Sequence, residues 1–306
     1  SAASDVYKRQ VIFFAAGDYA FPYRIALRLS ALLHIPIVMW CADDFYIEPL
    51  RYGPLLRRMQ CRRLVKLAEK IVRRSGTVVT ISDMMQRDYA RLFQTPAETV
   101  RISGKPNPYA LPEESRSGIV YAGNLGINRI TPLVSLGRAL KEAAIAGFET
   151  IHVYSGERNP AILQQLKEEN GLTYCGRIPA QEVERVLGAS KFIIFTEAFD
   201  RSSICRTKYS LSTKIAESLR SGACILAYGP DEIASIDYLK QHHSACILRE
   251  AGELPGTVQR LCAAPEEYRA YTQSARSLAE QFHSAECNET RMKEILAEAI
   301  RNFSTI

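Results

Sequence analysis

Four short segments of the chain carry residue types that can hold an anion or a sugar hydroxyl. The first, Tyr121-Ala122-Gly123-Asn124-Leu125-Gly126, sets two glycines three apart. Glycine lets a backbone approach a ligand closely, and bare amides there can point at an anion. A tight packing turn would use the same residues. Tyr154-Ser155-Gly156-Glu157 and Cys175-Gly176-Arg177-Ile178-Pro179 each place a glycine just past an apolar run. A Gly-Arg turn can frame a planar base through backbone groups and the plane of Arg177, or it can be plain turn chemistry. The fourth segment, Tyr209 to Glu217 (YSLSTKIAE), offers Ser212 or Thr213 as a helix N-cap, Lys214 as a charge, and Glu217 one turn further in. A helix start presents free amides and the positive end of the helix dipole. A carboxylate at Glu217 can accept hydrogen bonds from ribose hydroxyls, as the acidic residue of dinucleotide folds does. The plainer alternative is a capped helix with a solvated Lys and Glu. None of the four segments reads GxGxxG, and no Walker Lys-Ser pair follows them.

Alternating strands and helices must position these turns. Short apolar runs at 11–16, 36–41, 77–81, 98–102, 118–122, 149–154, 172–175, 191–195, 223–227 and 244–248 read as strands. Helical patterns lie between them, as at Arg24–Leu33, Leu133–Ala146 and Ala180–Ala189. This alternation predicts α/β architecture with parallel sheets, and 306 residues are enough for two domains. Residues 103–117 (SGKPNPYALPEESRS) hold three prolines and a charge cluster and read as a linker. The expected organisation is a first domain over 11–104, a linker over 105–117, a second domain over 118–286, and a helix over 287–306 that crosses back to the first domain. The first domain counts fewer strands than the second.

The order VYAGNLG, YSGE, YCGRIPAQEVERVLGASKFIIF, YSLSTKIAESLRSGACILAYGP resembles the nucleotide-binding half of GT-B glycosyltransferases of the retaining, family-four type. More narrowly, it is similar to bacterial cell-surface polysaccharide hexosyltransferases. TVVTISDMMQRDY and KPNP extend the likeness, which runs from Val11 to Phe303. It implies two Rossmann-like domains, the first incomplete. It implies that Glu217, as the second Glu of an E-x7-E pair, binds the donor ribose. Ser212, Thr213 and Lys214 would cradle the diphosphate. Gly123 and Asn124 would face it, with Arg129 as a further cation. Gly176, Arg177 and Ile178 would border the base, near Gly156.

Two departures from that pattern stand out. Tyr209 occupies the place of the first Glu, which in the family contacts donor-sugar hydroxyls. The His-Asp marker of the acceptor side reads Trp40-Cys41-Ala42-Asp43-Asp44, without a His, so Asp43 or Asp44 would orient the acceptor hydroxyl. Acidic residues after a strand are also ordinary turn formers. A retaining transfer needs charge neutralisation on the leaving diphosphate above all. Lys214, Arg129 and the helix end would supply it. No cofactor beyond the nucleotide-sugar donor is expected, and no metal is strictly required.

Composition narrows the class. With 47% hydrophobic and 24% charged residues the chain is globular, and it has no apolar run long enough to span a bilayer. Its eight cysteines are scattered without a CxxC, which predicts buried reduced thiols and a cytoplasmic setting. The five histidines form no metal-ligand spacing with them. The net charge of +6 is concentrated at residues 51–74, where nine Lys or Arg stand against Glu69 alone. Leu64, Leu67, Ala68 and Ile71 recur there at helical spacing. A solvated face is the common reading. Nucleic acid is disfavoured because no aromatics interleave with the charges. An anionic membrane surface suits a lipid-linked acceptor. Residues 1–10 (SAASDVYKRQ) resemble translated sequencing-adapter sequence, and the first Met is Met39. They are expected to be a non-native leader, with further native strands before Val11.

The function expected is transfer of a hexosyl group from a nucleotide sugar, most simply a UDP-sugar, to a lipid-linked or polysaccharide acceptor in cell-surface glycan synthesis. The enzyme would be cytoplasmic, peripheral on the inner face of the plasma membrane. The alternatives are a nucleotide-sugar epimerase on the same scaffold, for which His is sparse, and a non-catalytic nucleotide-sugar-binding module, which Tyr209 favours. As a truncated chain it is expected to fold in its second half and to lack activity.

Overall fold

The computed structural model describes residues 10–303. Its ten strands coincide with the ten apolar runs of the sequence, within a few residues at the ends. The chain divides into two compact units. One comprises the chain up to Ile102, Tyr209–Leu211, and the residues from Glu286 onward; the other comprises Ser103–Lys208 and Ser212–Ala285. The segment expected as a linker belongs to the second unit, where Leu111 N–H donates to Gly188 O and the Asn107 side chain donates to Glu184 O. The expectation of a non-native leader falls on residues 1–10, of which all but Gln10 lie outside the described ones.

The first unit holds a parallel sheet of β1 (Ile12–Ala15), β2 (Ile37–Cys41), β3 (Thr77–Thr80) and β4 (Ala97–Thr99), in that order. The fourth strand is shorter than the expected 98–102, because Arg101 leaves the sheet to pair with Asp83. Helix α1 (Ala20–Leu33) buries Tyr23, Ala26 and Ser30 at helical spacing. The basic run is not one helix. It splits into α2 (Glu48–Tyr52) and α3 (Leu55–Ser75) at Gly53-Pro54. Proline has no N–H to continue a helix, and Gly53 closes the first piece by donating to Pro49 O. The expected amphipathic face of α3 is present, with Leu64, Ala68 and Ile71 buried and Leu67 half-buried. Helix α4 (Asp83–Phe93) is capped by Ser82, whose hydroxyl accepts from Met85 N–H. The C-terminal helix Ala285–Phe303 lays Ile295 and Ala299 against Val38 and Val79 on the other face of this sheet.

The second unit is built on six parallel strands: β5 (Ser117–Ala122), β6 (Ile151–Tyr154), β7 (Leu172–Gly176), β8 (Ser190–Thr196), β9 (Cys224–Tyr228) and β10 (Cys246–Leu248). Their spatial order is β10-β9-β8-β5-β6-β7. The chain therefore builds outward from β5 to β7, returns to the other side of β5 as β8, and continues outward to β10. Its strands read as near-continuous apolar runs because helices cover both faces. Helix α5 (Ile130–Ala143) contributes Leu133, Leu136 and Leu140 to the main core beneath β5 and β6. Helix α6 (Ala180–Ala189) packs Leu187 on the opposite face with Val120 and Ile193. Helix α7 (Arg201–Thr207) follows β8, and α8 (Thr213–Ser221) precedes β9 and ends at Gly222 in the left-handed conformation.

Of the eight cysteines, Cys41, Cys61, Cys224 and Cys246 are buried, whereas Cys262 and Cys287 are exposed. The expectation of buried thiols thus holds for only part of the set. All eight are free.

Candidate donor-binding site

In open parallel sheets, ligands sit outside the carboxyl ends of strands where the strand order reverses. In the second unit that point lies between β5 and β8. The turns read from the sequence converge there. Gly123 N–H donates to Tyr154 O (2.9 Å), tying the first turn to the second. Ser155 N–H donates to Gly176 O (3.0 Å), tying the second to the third. The aliphatic stem of Arg177 lies in van der Waals contact with the place a Cβ would take on Gly156. Gly123, Gly156, Gly176, Arg177 and Ile178 are therefore neighbours along one sheet edge.

Lys214, in the first turn of α8, enters the same crevice. A Cβ on Gly123 would come within 2.4 Å of Lys214 Cδ, and Gly123 has φ +149°. The glycine is needed both for its backbone conformation and for room for the lysine. Lys214 Nζ donates to the Tyr121 hydroxyl at 3.1 Å and lies 4.8 Å from the centre of that ring and 5.9 Å from the Phe195 ring. The Tyr121 hydroxyl in turn donates to Asn124 O at 2.7 Å, which fixes the turn. No carboxylate pairs with Lys214 among the described residues. Burial, and next the positive charge of Arg129, push its ammonium down to about 8, against the smaller opposing effects of Glu197 and Glu217. A largely desolvated cation held between aromatic rings is suited to an anion.

Arg129 sits at the N-terminus of α5 but is already engaged. Its Nε and one terminal nitrogen donate to the two carboxylate oxygens of Glu197 at 3.0 and 3.1 Å, and its other terminal nitrogen donates weakly to Gly126 O at 3.4 Å. The loop before Arg129 is strained: Ile127 and Asn128 have φ of 57° and 53°. A β-branched residue there is a rare outlier of the kind found at functional sites. Asn128 holds the loop by donating to Asp200 and accepting from the Thr131 hydroxyl.

Ser212 occupies the N-cap position of α8, yet its side chain makes no cap bond. Its amide donates instead to the Ser235 hydroxyl at 3.0 Å. Thr213 is exposed at the first helical position. Glu217 is exposed, but the surrounding protein strips enough water from it to raise its carboxyl, and Glu184 adds to that while Lys214 opposes it. Asn124 spends its side-chain oxygen on Gly126 N–H.

Three features of this edge were not read from the sequence. Glu197 follows β8 directly, and its side chain is only 2% exposed. Thr196 Oγ1 and Ser155 Oγ are buried without a protein hydrogen-bond partner at the ends of β8 and β6. Buried hydroxyls are seldom left unpaired, so both mark this edge as chemically unfinished. The only signal for Glu197 in the sequence was a lone acid closing the apolar run FIIFTE.

The residues expected on the acceptor side lie in the first unit. Asp44 accepts from the backbone N–H of Tyr46, Ile47 and Glu48 and from the Tyr89 hydroxyl. Its carboxylate is thereby committed to folding the loop before α2. Asp43 is exposed and accepts a weak bond from the Ser210 hydroxyl at 3.4 Å, and partial desolvation raises its carboxyl. Tyr209 is buried in this unit, where its hydroxyl donates to Asp88 at 2.7 Å. Among the described residues no group of three or more His, Cys, Asp or Glu is placed to hold a metal ion.

No model of a known protein family matches the chain, and no curated protein matches it. Solved structures do. The Alr3699/HepE protein of Anabaena, crystallised with UDP, superposes with a TM-score of 0.73 at 13% identity, over 97% of this chain and 81% of that one. A glycosyltransferase from Rickettsia africae gives 0.69 at 13% identity, over 98% and 79%. An α,α-trehalose-phosphate synthase (UDP-forming) from Burkholderia vietnamiensis gives 0.69 at 11% identity, over 100% and 76%. The fold is GT-B. Both units are Rossmann-like, as the parallel sheets and the switch point of the second already indicate.

Proposed function

We propose that the protein is a retaining glycosyltransferase of the family-four type. It would move a hexosyl group from a nucleotide sugar, most simply a UDP-sugar, to a lipid-linked or polysaccharide acceptor in cell-surface glycan synthesis. The observation that carries this reading is Lys214: a desolvated ammonium without a carboxylate partner, at the switch point of a GT-B unit, under a glycine turn. Transfer breaks the bond between the sugar's anomeric carbon and the diphosphate oxygen and forms one to an acceptor hydroxyl, which loses its proton. Negative charge grows on the leaving diphosphate, and a preorganised cation there lowers the barrier. Lys214 and the N-terminal amides of α8 supply it, Glu217 takes the ribose, and the Gly176 to Ile178 turn borders the base. HepE, a structural neighbour, was crystallised with UDP and with UDP-glucose, which supports a UDP-linked donor.

The acceptor side supports a membrane-bound substrate. Helix α3 presents Arg58, Arg62, Arg63, Lys66 and Lys70 to solvent, and Leu55 and Leu56 at its start are 72% and 80% exposed. Exposed leucines beside a basic face suit peripheral binding to anionic lipid on the inner face of the plasma membrane. No described helix is long and apolar enough to cross a membrane. A binding module without transfer is favoured by one observation, the removal of Tyr209 and Asp44 into the structure of the first unit. A panel of UDP-, GDP- and ADP-sugars decides between the readings. Donor binding that Glu217→Ala weakens, together with release of the nucleoside diphosphate in the presence of acceptor, is expected. Binding without any turnover would favour the module.

A further inference from the structure

We infer that Glu197 is a positioning residue of the diphosphate site: its carboxylate occupies Arg129, so that Lys214 is the cation that meets the leaving group. This rests on the donor reading above. Among the described residues, three charged groups act on Lys214. Arg129 reaches it from the start of α5, Glu197 from the end of β8, and Glu217 from α8 itself, while Tyr121 on β5 contributes its hydroxyl. Arg129 and Lys214 are like charges in one desolvated crevice, and each disfavours the other. Glu197 engages Arg129 in a two-pronged pair whose side chains are 12% and 2% exposed. That pairing occupies two of the guanidinium nitrogens and partly offsets the effect of Arg129 on the neighbouring ammonium. A buried ion pair adds little stability over an apolar pair of similar volume, so stability alone does not account for a carboxylate here. The strained Ile127-Asn128 backbone, which delivers Arg129 to Glu197, is a second cost taken at the same point.

The test is the pH dependence of UDP affinity, measured by calorimetry from pH 7 to 10, above the range where the UDP terminal phosphate titrates. For the unaltered protein, affinity is expected to be flat up to about pH 8 and then to fall as Lys214 loses its proton, by at most tenfold per pH unit. Glu197→Gln keeps a hydrogen-bonding side chain but removes the charge. Its midpoint is expected to move down. The double variant R129Q/E197Q removes both charges. Because Arg129 acts on Lys214 more strongly than Glu197, its midpoint is expected above that of the unaltered protein. If Glu197→Gln does not fold, the double variant decides alone. A uniform loss of affinity with unmoved midpoints would overturn the inference and leave Glu197 with a packing role. An unaltered protein that binds no UDP at any pH would overturn the donor reading itself.

Discussion

The two units solve the same architectural problem and end with different capacities. The second unit reverses its strand order beside β5, and Gly123, Lys214, Arg129 and Glu197 gather at that reversal. The described strands of the first unit follow one another in sequence order, β1 to β4, with no reversal among them. Its post-strand acid, Asp44, is spent on three backbone amides and a tyrosine. Its distinctive groups lie on the outside instead: the basic face of α3, and Phe21, Ile25, Leu29 and Leu32 on the outer face of α1. A parallel sheet concentrates chemistry where neighbouring connections diverge, and elsewhere the same residue types become turn and cap material. Acidic residues after strands in the two units look alike in sequence, and topology separates their roles.

That contrast can be broken by substitution. Lys214→Ala should weaken UDP binding about 100-fold, in keeping with truncation of a desolvated charged contact. Calorimetry reads it directly, and thermal stability should change little. Asp44→Ala should show the opposite pattern. It strands three backbone donors and should cost about 2–3 kcal/mol in urea unfolding, with UDP affinity unchanged. Gly123→Ala should reduce UDP affinity about tenfold, because the added methyl displaces Lys214 and the backbone disfavours a side chain. The smallest effect belongs to the first unit's surface. Leu55→Ser with Leu56→Ser should lower co-sedimentation with anionic vesicles about threefold, and added salt should lower it further. Binding that ignores lipid charge would make α3 an ordinary solvated helix.

Much of this was legible before any coordinates. The ten strands announced themselves as β-branched apolar runs. The lysine of the STK segment was visible as a charge at a helix start. What could not be read was pairing across distance. Arg129 looked like a free cation, since nothing local shows that Glu197, 68 positions later, takes it. Ser212 looked like a cap by residue type, yet its side chain makes no cap bond. The break at Gly53-Pro54 was present in the letters, but the strength of the charge pattern hid it. Asp44 illustrates the general difficulty. Whether a loop carboxylate catalyses or folds depends on how many amides reach it, which only the closed loop decides.

The central claim is that the crevice between β5 and β8 receives a nucleoside diphosphate on Lys214. The most direct measurement is a calorimetric titration of UDP into the unaltered protein and into Lys214→Ala at pH 7. The account predicts saturable one-site binding that the substitution weakens about 100-fold. Equal affinity in the two proteins, or no binding to the unaltered one, would contradict it.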